Sequence, residues 1–240
     1  MHVLETKGLR KGYDGKIVVT DLDVRIASGE IIGLLGPNGA GKTTSFYMIV
    51  GAIRQDAGRI FLDDEDISSF PMYERARRGI GYLPQEPSIF RKLTVEENIL
   101  AVLEIRGMDK GQQMEKAEAV IAEFNLEPIL KRQGHMLSGG ERRRVEIARA
   151  FALDPLFILL DEPFAGIDPI TVGELKKTVG YLRDRGIGVI ITDHNVRDTL
   201  SITDRAYIIN DGRVFETGTP SELVHNQRVR KVYLGEDFRL

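Results

Sequence analysis

The sequence predicts an α/β fold built around a phosphate loop, with an antiparallel β part toward its N-terminal end and an α-helical lobe inserted near its middle. Three features carry that expectation. Residues 36–43 read Gly-Pro-Asn-Gly-Ala-Gly-Lys-Thr, the G-x-x-x-x-G-K-[ST] pattern of a loop that cradles phosphates. The short runs at residues 31–35 and 157–160 are continuously apolar, with no charged or polar side chain, as expected of strands covered on both faces. From Thr94 to about Lys131 the apolar period becomes helical.

The elements follow in order. Apolar and polar residues alternate over 3–9 and again over 17–26, with a turn at Tyr13-Asp14-Gly15 between these two strands. The strand at 31–35 enters the glycine loop, and a helix runs from Lys42 to about Ile53. Residues 59–62 read as a strand, 72–78 as a short helix behind Pro71, and 79–84 as another strand. Thr94-Val95-Glu96-Glu97 is a capping box, and Ile99, Leu100, Val102 and Leu103 supply the buried stripe of the helix it starts. A second helix covers about 112–124. Residues 94–134 thus form a helical lobe between two parts of one nucleotide-binding core, 1–93 and 135–240. Strands follow at 157–161 and 189–192, then a hairpin of 206–210 with 213–216 around Asp211-Gly212, then a helical tail from Ser221 to about Leu234.

Composition narrows the function. A length of 240 residues suffices for a substantial core, and 42% hydrophobic with 29% charged residues is a globular mixture. The net charge of −3 provides no basic field for nucleic acid. The lack of cysteine removes disulfides and thiolate metal sites, and suits a reducing compartment. Residues 1–7 lack the apolar core of a signal peptide, and no apolar run approaches the ~18–20 residues that span a bilayer. A role at a membrane would need another chain to hold this one there.

Glycines suit the phosphate loop because its backbone N–H groups must turn inward where side chains would obstruct them. The helix behind the loop adds its positive end. Gly36, Pro37, Asn38, Gly39, Ala40, Gly41, Lys42, Thr43 and Thr44 are therefore the expected ATP contacts, with Lys42 on the β- and γ-phosphates and the Thr43 hydroxyl on Mg²⁺. Asp161-Glu162 closes an apolar strand; taken alone, such a pair is more often a helix cap. Ser138-Gly139-Gly140-Glu141 is a second capping box. Two glycines in a first turn cost about 1 kcal/mol each relative to alanine, which makes sense where a phosphate must approach the backbone.

One phosphate loop with one Leu-Ser-Gly-Gly-Glu segment resembles the ATPase module of ABC proteins, and the resemblance spans essentially all 240 residues. It implies a homodimer that sandwiches two ATP molecules head to tail. Ser138 and the Gly139 and Gly140 amides would then contact the γ-phosphate held by the second copy. Glu141 stands where the family more often has glutamine. The resemblance further implies that Asp161 holds Mg²⁺ through water and Glu162 is the general base. Gln85 would sense Mg²⁺ and water, His194 would contact the γ-phosphate, and Asp168 would cross the dimer interface. Tyr13 falls where an aromatic stacks on adenine, although a plain turn tyrosine reads the same way. The run Arg142-Arg143-Arg144 reads as solvated or ion-paired helix surface.

A compact solitary module, with no second module, coiled coil or zinc insert, resembles a transporter subunit. It would dock on two transmembrane chains at the cytoplasmic face of the inner membrane, with Phe90 and Arg91 in the coupling groove. Residues 82–99 and the ending 233–240 resemble the lipopolysaccharide-exporting branch of the family. The branched-chain amino-acid importers share much of the same wording but do not normally end this way. A soluble ATP-gated switch that binds a protein partner is the reading of a different class.

Overall fold

The turn after Tyr13 folds β1 (Val3–Tyr13) back onto β2 (Lys16–Leu22), pairing Tyr13 with Lys16. β3 (Arg25–Ala27) and β5 (Ala57–Leu62) also pair antiparallel with β1, and the two-residue β6 (Glu65–Asp66) closes β5. The computed structural model describes residues 1–240, and this antiparallel part continues directly into the rest of its sheet.

The other half is parallel. β4 (Ile31–Leu35), β9 (Gly188–Thr192), β8 (Phe157–Asp161) and β7 (Ile80–Leu83) lie side by side in that order. On the far flank of β4 lies β10 (Arg205–Asn210), hairpinned to β11 (Arg213–Gly218), which meets β2 and joins the two halves. Side chains alternate between two cores, as the pleat requires. Ile31, Ile158, Leu160, Val189 and Ile191 face one core, and Ile32, Leu34, Leu159 and Ile190 face the other. The first core also holds α3 (Val95–Ile105), α4 (Lys110–Glu123), α5 (Gly139–Phe151) and α6 (Pro169–Asp184). The second holds the phosphate-loop helix α1 (Lys42–Val50).

Register places the site. Leu34 pairs with Thr192, Thr192 with Asp161, and Leu160 with Leu83. The C-terminal ends of β4, β9, β8 and β7 therefore release residues 36, 193–194, 162 and 84–85 along one edge, where open α/β sheets bind ligands.

Helix α1 stops at Val50, three residues short of the expected end, because Gly51 turns left-handed (φ 86°). Its last carbonyls are not left bare. The guanidinium of Arg75, on α2 (Met72–Arg77), is 1% exposed and donates to Met48 O and Ile49 O, both at 2.7 Å, and to Phe70 O at 2.9 Å. Burial lowers its pKa to about 10, still high enough to keep it charged near neutrality. A buried cation thus caps the negative end of the phosphate-loop helix.

The capping boxes at Thr94 and Ser138 form as expected. A third, Asp109 with Gln112, starts α4 two residues before the expected position. Arg143 departs from the surface expected of residues 142–144. It is only 7% exposed, ion-pairs with Glu146 at 3.2 Å and donates to Pro84 O at 2.9 Å. Arg144 does pair at the surface, with Glu174. The tail is less regular than one helix. After α7 (Val196–Leu200) and the hairpin comes α8 (Pro220–His225), then Asn226 in extended backbone (ψ 110°), then further short turns. No helix is long and apolar enough to cross a membrane.

Candidate nucleotide site

The phosphate loop is pinned from behind. Gly36 has φ 149°, and a Cβ there would lie 2.0 Å from Ile209 O; at Gly41 (φ 98°) it would lie 2.8 Å from Val18 O. Neither position admits another residue without moving β10 or β2. Gly39 is different: nothing lies within 4 Å of the Cβ position, so a side chain there would meet open space. Lys42 Nζ donates to Gly36 O at 2.6 Å and to Pro37 O at 2.8 Å. Burial lowers the Lys42 pKa, and the Glu162 carboxylate opposes that shift. Thr43 and Thr44 begin α1, Thr43 exposed and Thr44 half-buried.

Three expected residues converge beside the loop. Gln85 Nε2 donates to Glu162 Oε2 at 2.9 Å, and His194 Nδ1 lies 3.2 Å from the same oxygen. Glu162 itself adopts φ 43°, a left-handed conformation costing an ordinary residue on the order of 1 kcal/mol, and its N–H donates to Thr192 O at 2.7 Å. Its neighbour Asp161 is buried, which raises its pKa, while Oδ2 accepts from the hydroxyl of Tyr47 at 2.9 Å. Tyr82 reaches the same oxygen at 3.5 Å, leaving Oδ1 free of hydrogen bonds.

Sequence reasoning missed Asp193. It is 1% exposed and accepts from the N–H of Phe164 at 2.9 Å and of Asn195 at 2.7 Å. It therefore ties the turn carrying His194 to the segment just after Glu162. Its only local signal was an acidic residue ending a continuous apolar strand.

The remaining expected residues lie apart. Ser138 caps α5 through the Glu141 amide, and Glu141 Oε1 takes Arg132 at 2.7 Å. The two glycines have different causes. A Cβ at Gly140 would strike Thr171 Cγ2 at 2.5 Å, so helix packing requires that glycine, whereas Gly139 is open. No hydrogen bond joins residues 138–141 to residues 36–44 of the same chain. Asp168 caps α6, accepting from Ile170 and Thr171. Tyr13 is 43% exposed, with Lys11 Nζ 5.4 Å from its ring centre. Phe90 is 41% exposed beside exposed Arg91, and the Arg149 guanidinium lies 4.6 Å from the Phe90 ring centre. An apolar groove of about 400 Å³ adjoins Phe90, lined also by Met72, Tyr73, Val102 and Leu153.

A family model described as ABC transporter matches residues 19–165. Another, described as branched-chain amino acid ATP-binding cassette transporter, matches residues 213–239. That match corrects one expectation, since the ending does not set this chain apart from the importers. The chain is 58% identical to the lipopolysaccharide export system ATP-binding protein LptB of Haemophilus influenzae and 56% identical to that of Escherichia coli K12, over 100% of both chains in each case. Among solved structures, an ATP-binding cassette of an ABC transporter in its ADP conformation superimposes with a TM-score of 0.87 at 26% identity. It covers 98% of this chain and 100% of that one.

Proposed function

Because the chain belongs to the ABC transporter ATPase family, we propose that it hydrolyses ATP as one half of a homodimer and thereby drives lipopolysaccharide export from the inner membrane. The observation that carries the cargo is the identity of 56–58% over full length to LptB proteins. The tail match favours a second reading, a branched-chain amino-acid importer.

The chemistry follows from the side chains. Phosphate oxygens replace the Gly36 and Pro37 carbonyls as partners of Lys42, while the Gly39 and Gly41 region presents backbone N–H groups. The Thr43 hydroxyl, the Gln85 amide oxygen and the free Asp161 oxygen are hard donors that suit Mg²⁺. When bound, Mg²⁺ would neutralise charge on the β- and γ-phosphates. Glu162 spends Oε2 on Gln85 and His194, which leaves Oε1 to orient the attacking water and take its proton. Tyr13 would stack on adenine. Ser138 and Gly139 of the second copy, where nothing crowds the Gly139 Cβ position, would close the site from the other side with its Asp168.

In this reading the groove beside Phe90 receives a helix of a transmembrane subunit, and Arg91 meets that helix's end carbonyls or an acidic side chain. Phe90→Ala in a core would cost roughly 3–5 kcal/mol. At this half-exposed position the expected loss is below about 1 kcal/mol, so melting of the isolated chain stays nearly unchanged while copurification with membrane subunits is lost. A large fall in melting temperature would defeat the groove assignment. Purification from detergent-solubilised membranes tests the function as a whole. Export predicts two multi-span partners whose reconstituted complex releases lipopolysaccharide on ATP addition. Copurification with soluble proteins alone would support the switch reading, and amino-acid uptake the importer.

A further inference from the structure

Helix α1 brings more to the site than its phosphate-binding end. Thr43 and Tyr47 lie four residues apart on it and therefore share one face. On β8, Asp161 and Leu159 lie two residues apart and point to the same side of the sheet, toward the core that holds α1. The Tyr47 hydroxyl bridges the two elements, donating to Asp161 Oδ2 at 2.9 Å. One helix face thus engages both metal-side groups, Thr43 by carrying its hydroxyl and Asp161 through Tyr47.

Packing fixes the Tyr47 ring without help from the hydroxyl. The ring is half-buried against that core, its centre 6.2 Å from the ring of Phe46 and 6.4 Å from that of Tyr82, edge-on to the latter at 81°. A phenylalanine would serve this packing, as fully buried Phe46 does beside it. What the hydroxyl adds is the bond to Asp161. Tyr82 belongs to the same aromatic cluster, but its hydroxyl is 3.5 Å from the same oxygen, at the outer limit of a hydrogen bond. A carboxylate turns easily about its Cβ–Cγ bond. Holding Oδ2 by the Tyr47 phenol selects one orientation and leaves Oδ1 as the oxygen available to an ion.

We infer that Tyr47 is a positioning residue for the Mg²⁺ that accompanies ATP, fixing the Asp161 carboxylate so that Oδ1 keeps a set place relative to the Thr43 hydroxyl. The inference rests on the ATPase reading. Loss of the hydroxyl with the ring kept should weaken the ion's hold while leaving nucleotide contacts intact.

Tyr47→Phe tests this in the full-length chain, beside wild type and Tyr82→Phe, which removes a hydroxyl from the same cluster without breaking the 2.9 Å bond. Mn²⁺ is titrated into each chain holding a non-hydrolysable ATP analogue, with protein in excess over analogue, and free Mn²⁺ is read by electron paramagnetic resonance. Mn²⁺ affinity should fall roughly ten-fold in Tyr47→Phe, the lower end of what outer partners of metal ligands contribute. In Tyr82→Phe it should stay within about two-fold of wild type. Analogue affinity in EDTA should be the same in all three chains. The Mg²⁺ concentration that half-saturates phosphate release should rise in Tyr47→Phe, with kcat recovering to within about two-fold of wild type at excess Mg²⁺. Unchanged Mn²⁺ affinity in Tyr47→Phe overturns the inference, as does an equal loss in both variants, which would place the effect in the cluster's packing. A loss matched by weaker analogue binding in EDTA overturns it as well. A wild-type chain that neither takes up Mn²⁺ with the analogue nor releases phosphate brings down the ATPase reading itself. A wild type that does both, beside a Tyr47→Phe chain that matches it, brings down this inference alone.

Discussion

Glu162→Gln is expected to keep ATP binding and lose hydrolysis by roughly 10²–10⁴-fold, the usual contribution of a positioned general base. The amide conserves the shape and can still accept from Gln85 through its oxygen, so the site should stay assembled. What disappears is the carboxylate oxygen that accepts the water proton. ATP then accumulates unhydrolysed, and the dimer it bridges becomes long-lived and visible by size-exclusion chromatography. Turnover within a few-fold of wild type would move the base elsewhere, and His194, 3.2 Å from Glu162 Oε2, would be the next residue to replace.

Lys42→Ala acts one step earlier. The ammonium is the one cationic side chain hydrogen-bonded within the loop, at 2.6 Å from Gly36 O and 2.8 Å from Pro37 O. Charge-assisted hydrogen bonds to phosphate contribute enough that ATP affinity should fall roughly 10- to 100-fold. The ATP-bridged dimer should then fail to form at concentrations where Glu162→Gln accumulates it. Isothermal titration with a non-hydrolysable ATP analogue reads the affinity directly. Equal affinity in Lys42→Ala and wild type would mean that the loop holds its phosphates through backbone alone.

Much of this was legible in local pattern. The loop at 36–43 has fixed spacing, and β4 and β8 are continuous apolar runs, so both could be bounded within a residue or so. Helix α6 escaped notice although Val172, Leu175, Val179 and Leu182 keep a helical period, because polar residues and two glycines dilute it. Asp168-Pro169, a capping residue followed by proline at the first helical position, was the available signal. The meeting of Gln85, Glu162 and His194 was expected only through family resemblance. Its physical cause is that β7, β8 and β9 are neighbours, a fact of sheet order rather than of any one segment. Arg75 and Arg143 carry no local mark at all, and Asp193 only that of an acidic residue closing an apolar strand. A buried charge is revealed only by the carbonyls and amides that the fold brings to it.

The central claim is that a working site needs two copies, with residues 138–140 of one closing over the phosphate loop of the other. Specific ATPase activity of the isolated wild-type chain, measured across a dilution series spanning dimer to monomer, tests it most directly. The account predicts that activity per milligram rises with concentration and levels off only where the ATP-bound dimer predominates, by mass action. Activity per milligram that stays constant down to concentrations where light scattering finds only monomer would contradict it.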